Sequence, residues 1–99
     1  MARPRFTFTA EVWEHDGEGS WHFLSLPEDE ADEIDALARP GAGFGSVRVE
    51  VTIGATTWST SVFPDRKRRT YVLPLKKAVR RAEGLEAGTT ARVELVLAD

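Results

Sequence analysis

The sequence predicts a mainly β domain: six strands closed, or nearly closed, into a small pseudo-barrel that two short helices cap. Three observations predict it. Apolar and polar residues alternate at the period of a half-buried strand in segment after segment. Only two stretches carry a helical stripe, too few for a parallel α/β sheet, in which each crossover needs a helix. Finally, one unit recurs: Trp21-His-Phe-Leu-Ser-Leu-Pro27 and Thr70-Tyr-Val-Leu-Pro74 each run a strand into a Leu-Pro step. The two steps lie 47 positions apart, as do Gly41 and Gly88, so a pseudo-twofold repeat of strand, Leu-Pro, helix, glycine and strand is expected.

In the first strand Phe6, Phe8, Ala10 and Val12 alternate with Thr7, Thr9 and Glu11. His15-Asp-Gly-Glu-Gly19 is turn-rich, and Trp21 to Leu26 returns as the second strand of a hairpin. Pro27 suits the first helical turn, where its missing N–H costs nothing, and Glu28, Asp29 and Glu30 complement the positive end of the helix dipole. Ala31, Ile34, Leu37 and Ala38 form one apolar stripe. Arg39 to Gly45 ends the helix, and its Gly-Ala-Gly-Phe-Gly run reads as a turn; it precedes a strand and lacks the lysine and following helix of a phosphate-binding loop. Val47, Val49, Val51 and Ile53 face inward along the third strand, and Gly54-Ala55 turns it into a fourth over Thr56–Phe63. Pro64 to Arg69 is a charged connection. Thr70 to Leu73 is the fifth strand, and Pro74 opens a helix with Leu75, Ala78, Val79 and Ala82 on one side and Lys76, Lys77, Arg80 and Arg81 on the other. Gly84-Leu85 caps it, and Gly88 leads into a sixth strand whose Val93, Leu95 and Leu97 point inward. The three tryptophans, Trp13, Trp21 and Trp58, are expected to fill the barrel.

Ninety-nine residues make one domain over 1–99, with half-units of about 6–53 and 56–97. No cysteine is present, which excludes disulfides, thiolate metal sites and cysteine nucleophiles. No run approaches the roughly 18 apolar residues of a membrane span, so no membrane partner is expected. Met-Ala-Arg-Pro-Arg lacks the apolar segment of a secretory signal, and a cytoplasmic monomer is expected. The net charge of −3 is uneven: residues 1–52 carry −7 and residues 53–99 carry +4. A whole-surface basic field of the kind that holds duplex nucleic acid is absent.

The run Tyr71-Val-Leu-Pro-Leu-Lys-Lys-Ala-Val-Arg-Arg-Ala-Glu-Gly-Leu-Glu-Ala-Gly88, with Val93-Glu-Leu95 beyond, resembles the swapped-hairpin half of AbrB-like and MazE-like proteins. Trp21 with Leu26-Pro27, Gly43-Phe-Gly45, Thr57-Trp-Ser-Thr-Ser-Val-Phe-Pro64 and Tyr71 to Arg80 with Gly84-Leu85 and Gly88 resemble, nearly end to end, the bacterial domain-of-unknown-function family nineteen-oh-five. That resemblance implies a double-split β pseudo-barrel with both halves in one chain. It implies no activity. Its members are often joined to a small domain associated with bacteriocin protection, which implies a module working beside a partner.

Two surfaces are candidate sites. Eight cations fall between Arg66 and Arg81, of which Arg69, Lys76, Lys77, Arg80 and Arg81 are candidates to hold phosphate or an acidic partner; the bland alternative is a solvated face. Tyr71 is the aromatic residue near them in sequence, little for a binder that stacks bases, and nucleic acid is disfavoured. The strand of Trp58, Ser61 and Phe63 mixes aromatic and hydroxyl groups as a small-molecule pocket would, although alternation sets Trp58 on one face and Ser61 and Phe63 on the other. His15 and His22 with Glu14, Asp16 and Glu18 match no metal-binding spacing, no Gly-x-Ser-x-Gly nominates a nucleophile, and neither metal nor cofactor is expected. The expected function is a binding or interaction module for a small ligand or protein partner. The alternatives are a nucleic-acid-binding regulator related to AbrB-like proteins and an enzyme whose site the sequence does not display.

Overall fold

The computed structural model describes residues 3–15, 21–38 and 45–98. Alternation builds most of its strands, β1 (Arg5–His15), β2 (Trp21–Ser25), β3 (Val47–Ile53), β4 (Thr56–Asp65), β5 (Thr70–Pro74) and β6 (Thr90–Leu97), with Tyr71, Val72 and Leu73 of β5 buried in succession. They join in the order β1-β2-β5-β4-β3-β6 and close on themselves as a barrel. Every pairing is antiparallel. Each strand is flanked by two others, but the ladders are partial: β4 pairs with β5 only at Phe63, Pro64 and Asp65. Phe6, Phe8, Val12, Leu24, Val49, Val51, Val62, Leu73, Val93 and Leu95 fill the interior, and every buried residue among those described is apolar. No helix among the described residues is long and apolar enough to cross a membrane.

Helix α1 (Glu28–Leu37) follows β2, and α2 (Lys77–Glu83) follows β5. Pro27 stands at the cap of α1 with an extended ψ of 154°, one residue outside the first turn in which the sequence places it. Both helices touch the barrel on a narrower stripe than the helical wheel suggests. Ala31 and Ile34 of α1 are buried but Leu37 is exposed, and α2 buries Val79 while Ala78 and Ala82 face solvent. The reason is length: a helix of seven or ten residues set against a barrel has about two turns of contact, and the flanking loop residues Leu26, Leu75 and Leu85 supply the rest of the apolar cover. Gly84 adopts the left-handed conformation at φ 63° and ends α2 as expected.

Of the three tryptophans only Trp58 lies in the core. Trp13 follows inward-facing Val12 by one residue and Trp21 precedes inward-facing Leu24 by three, so both point outward. Trp13 instead packs against Phe23 at 5.0 Å between ring centres, donates from Nε1 to Ser25 Oγ at 2.9 Å, and carries the Arg68 guanidinium 3.9 Å above its ring. Strand β4 also runs on through Pro64 to Asp65, beyond the expected end at Phe63. Pro64 pairs with Tyr71 at the penultimate position, where the ladder is about to end in a hairpin and a missing N–H matters least.

The list of strand neighbours is unchanged when β1, β2 and β3 are exchanged with β4, β5 and β6. The 47-residue offset also carries two ladders onto themselves. Leu24↔Leu73 maps to Tyr71 and Leu26, and the Leu26 N–H donates to the Tyr71 carbonyl at 3.0 Å. Val49↔Leu97 maps to Val96 and Glu50, which pair. The first strand of each half departs from the offset, because Phe6 advanced by 47 is Ile53 on β3, not a residue of β4. Gly41, the partner of Gly88 in the sequence repeat, lies outside the described residues.

The β3–β4 hairpin turns on Gly54 and Ala55, with positive φ (59°) at Gly54 alone, as a type II′ turn requires. A Cβ at Gly54 would collide with the Glu83 carboxylate, which accepts a 2.6 Å hydrogen bond from Thr56 Oγ1. Gly54→Ala is therefore expected to lower stability by about 1–2 kcal/mol for the left-handed backbone, with a further loss as Glu83 is displaced, read as a lower urea midpoint at unchanged slope. A second expectation concerns Tyr71, whose hydroxyl donates to Asp35 at 3.0 Å. Burial, and after it the Asp35 carboxylate, pushes the phenol above its usual range. The folded state then holds its proton more tightly than the unfolded chain, so this contribution is complete below a pH of about 10 and is lost as pH rises through the raised value. Tyr71→Phe should cost about 1 kcal/mol at neutral pH, and the gap to wild type should narrow in alkaline denaturation curves.

Candidate functional site

Pro74 ends β5 because it offers no N–H to continue a ladder, and the chain turns off the barrel into α2. The neighbours of β5 run on. On one side β2 extends back to Trp21, and the Leu75 N–H still donates to the His22 carbonyl at 2.9 Å. On the other, β4 extends back past Thr60 and Trp58 to Thr56. Between them, where β5 has stopped, the barrel wall splits. The cleft has a volume of about 450 Å³. Trp21 and His22 form one wall, Trp58, Ser59 and Thr60 the other, and Pro74 and Leu75 the floor, with Lys76, Lys77 and Arg80 at the rim.

The two indoles differ in kind. Trp58 is 9% exposed and belongs to the core, whereas Trp21 is 59% exposed, an unusual state for so large an apolar ring. Arg80 is fixed by a hydrogen bond from its Nε to the Leu75 carbonyl at 3.2 Å. Among the described residues Lys76, Lys77, Arg80 and Arg81 form no ion pair; those present join Arg5 to Glu94 and Arg68 to Asp65. No carboxylate among the described residues lines the cleft.

The corresponding break in the other half, where β2 ends and α1 begins, is lined by Ser25, Leu26, Glu28, Asp32, Arg68, Arg69 and Thr70. Two cations there face two carboxylates. A third hollow of about 330 Å³, bounded in part by Asp32, Asp35, Asp65, Arg66 and Arg69, is likewise mixed in sign. Of these three, the split beside α2 alone concentrates one charge.

The eight-cation cluster is thus two surfaces. Arg68 is structural: it stacks on Trp13 and pairs with Asp65 at 3.0 Å. Burial pushes the Asp65 carboxyl up, but the Arg68 side chain and the N–H groups of Arg68 and Lys67 more than offset it and hold the group below its usual range. Arg69, with a positive φ of 55°, completes that turn and lines the mixed hollows. Lys76, Lys77 and Arg80 join Trp58 at the cleft, while Arg81 sits exposed further along α2. Ser61 and Phe63 point from the outer face of β4, with Phe63 44% exposed, and do not line it. Tyr71, the aromatic residue closest to these cations in sequence, instead lines the hollow beside α1. The aromatic partners of the basic helix are Trp21 and Trp58. The signal for Trp21 is its odd separation from Leu24, which excludes it from the interior; nothing local in the sequence joins it to a helix about 55 residues away. His15 and His22 occupy successive register positions of one ladder and so face opposite sides of the sheet, and Asp16 and Glu18 lie outside the described residues, as do residues 41–44 of the glycine run.

The fold and site define a small antiparallel β-barrel domain with two capping helices and an aromatic, cation-rimmed split in its wall. The family model for a domain of unknown function (DUF1905) matches residues 8–95, and the chain belongs to that family. The match runs from β1 into β6 and includes every residue of the cleft. No curated protein matches the chain.

The two cleft indoles should separate cleanly in measurement. Trp58→Ala removes a core ring and should cost about 3–5 kcal/mol, whereas Trp21→Ala should change the urea-derived stability by no more than about 0.5 kcal/mol. Acrylamide should quench wild-type emission in two components, of which Trp21→Ala loses the accessible one.

Proposed function

We propose that this chain is a binding module, acting as a cytoplasmic monomer, that holds a small anionic ligand in the split between β2 and β4. One observation carries the reading: three cations, with no carboxylate among the described lining residues, converge on a cleft walled by two indoles. Its volume falls in the range of small-molecule sites, roughly 300–1,000 Å³. The net charge of −3 supports a small ligand over an extended polyanion, because the attraction is confined to this one place. The closed strand order, in which every strand is flanked by two others, supports the monomer. The matching hollows and the 47-residue correspondence of registers support two half-units sharing one backbone plan, of which one is charged for binding.

Local energetics point the same way. Acidic residues fill the first turn of α1, as a helix dipole prefers, while α2 begins with lysines and has no acidic residue in its first turn. Replacing Lys76 and Lys77 by glutamate relieves that arrangement and sets a carboxylate four residues ahead of Arg80 and another four ahead of Arg81, the favourable orientation for a helical ion pair, each pair worth about 0.2–0.5 kcal/mol. K76E/K77E should therefore be no less stable than wild type and yet lose the site.

The test uses 8-anilinonaphthalene-1-sulfonate, an aromatic anion, titrated by fluorescence. Wild type should bind one equivalent, with affinity falling as salt is raised from about 50 to 500 mM because the rim charges are screened. K76E/K77E should bind at least about tenfold more weakly while its thermal midpoint holds. Equal binding by the two proteins, or none by wild type, would overturn the proposal.

A further inference from the structure

We infer that the ligand class of this cleft is a nucleoside phosphate, its base stacked on Trp21 and its phosphate held by Lys76, Lys77 and Arg80; the inference rests on the binding-site reading above. The cleft offers three kinds of group in one small space, and a nucleotide has a use for each.

An indole 59% exposed beside a basic rim is a stacking platform. Base stacking on an aromatic ring tolerates any base, since every base has a π-face. Trp58, 9% exposed, contributes apolar surface to the opposite wall. Opposite Trp21, Thr60 lies on the same face of β4 as Trp58, and its hydroxyl makes no hydrogen bond within the described protein, so it is available to a sugar or a base edge.

The cations are arranged to suit phosphate. Arg80 spends its Nε on the Leu75 carbonyl, which fixes the guanidinium plane and leaves the two terminal nitrogens for a bidentate contact. Lys76 and Lys77 add mobile point charges on either side of the helix start. Three positive charges match the two to four negative charges of nucleoside mono- to triphosphates. Volume sets the other bound, because about 450 Å³ holds one nucleotide and not a stack. A duplex keeps its bases stacked inside, out of reach of Trp21. The same chemistry has two sources, a free nucleotide and the unstacked end of a single strand.

Isothermal titration of the full chain with ATP, GTP, UTP, inorganic triphosphate, adenosine and a five-residue oligoadenylate tests the inference, with competition against the anilinonaphthalene probe to locate binding. Nucleoside triphosphates should displace the probe and bind at least about tenfold tighter than inorganic triphosphate or adenosine, with little preference among bases. Trp21→Ala should weaken ATP about tenfold and leave inorganic triphosphate unchanged, a split that a structural role for Trp21 does not produce. K76E/K77E should weaken both. Oligoadenylate binding tenfold or more tighter than ATP through the same residues assigns the strand end, and parity assigns the free nucleotide; both uphold the inference. It is overturned if ATP binds no tighter than inorganic triphosphate, or if Trp21→Ala affects the two alike. Should the aromatic sulfonate bind as described while nucleotides fail to displace it, the anion cleft stands and the nucleotide falls; should neither bind, both fall.

Discussion

The barrel closes through a ladder only three residue pairs long. Phe23↔Pro74, Leu24↔Leu73 and Ser25↔Val72 are its register pairs, extended by one backbone hydrogen bond at each end, Leu26 to Tyr71 and Leu75 to His22, and Leu24 and Leu73 at its centre have no solvent exposure. Both strands run into a Leu-Pro step, at Leu26-Pro27 and Leu73-Pro74, and proline can neither donate to a ladder nor tolerate a helical residue before it. The ladder is therefore short by chemistry. Because it is short, each strand turns off into a helix that covers a mouth of the barrel, and because its neighbours continue, each turn-off leaves a split. The core, the caps and the clefts all descend from where two prolines fall.

One backbone device used twice need not have one use. At the break beside α1, Glu28 and Asp32 line the same hollow as Arg68 and Arg69, while the Thr70 hydroxyl donates to the Leu26 carbonyl at 2.7 Å and ties the strand to the loop. At the break beside α2, the cations stand over two indoles with no acid among the described lining residues to meet them. The opposite net charges of the two halves of the sequence thus resolve into one hollow lined by both signs and one lined by cations.

Much of this was legible in the sequence. Alternation in Phe6-Thr-Phe8, Val47 to Ile53 and Val93 to Leu97 marks the strands and their inner faces, because period-two burial is local information. The helices were less legible, since a wheel ranks Leu37, Ala78 and Ala82 with the apolar face although the barrel mouth is too small to reach them. For the site, the cations at 76, 77 and 80 were visible as a cluster and Trp58 as a candidate wall. Their meeting was not, because Trp21, Trp58 and α2 come together only through closure of the barrel, a contact between segments tens of residues apart. Aromatic volume alone favours Trp21 in the core, but its odd separation from buried Leu24 sets it on the outer face.

The hydrogen bond from Thr56 to Glu83, beneath the bare backbone of Gly54, has a mechanical meaning. It moors the far end of α2 to the tip of the same hairpin whose β4 strand forms a wall of the cleft, while the near end is moored by Leu75 to His22 on the opposite wall. The helix is thus a spacer spanning the split. Seven residues at about 1.5 Å each make a strut of about 10 Å. The number of residues between Pro74 and Gly84 thus sets how far apart the two moorings lie.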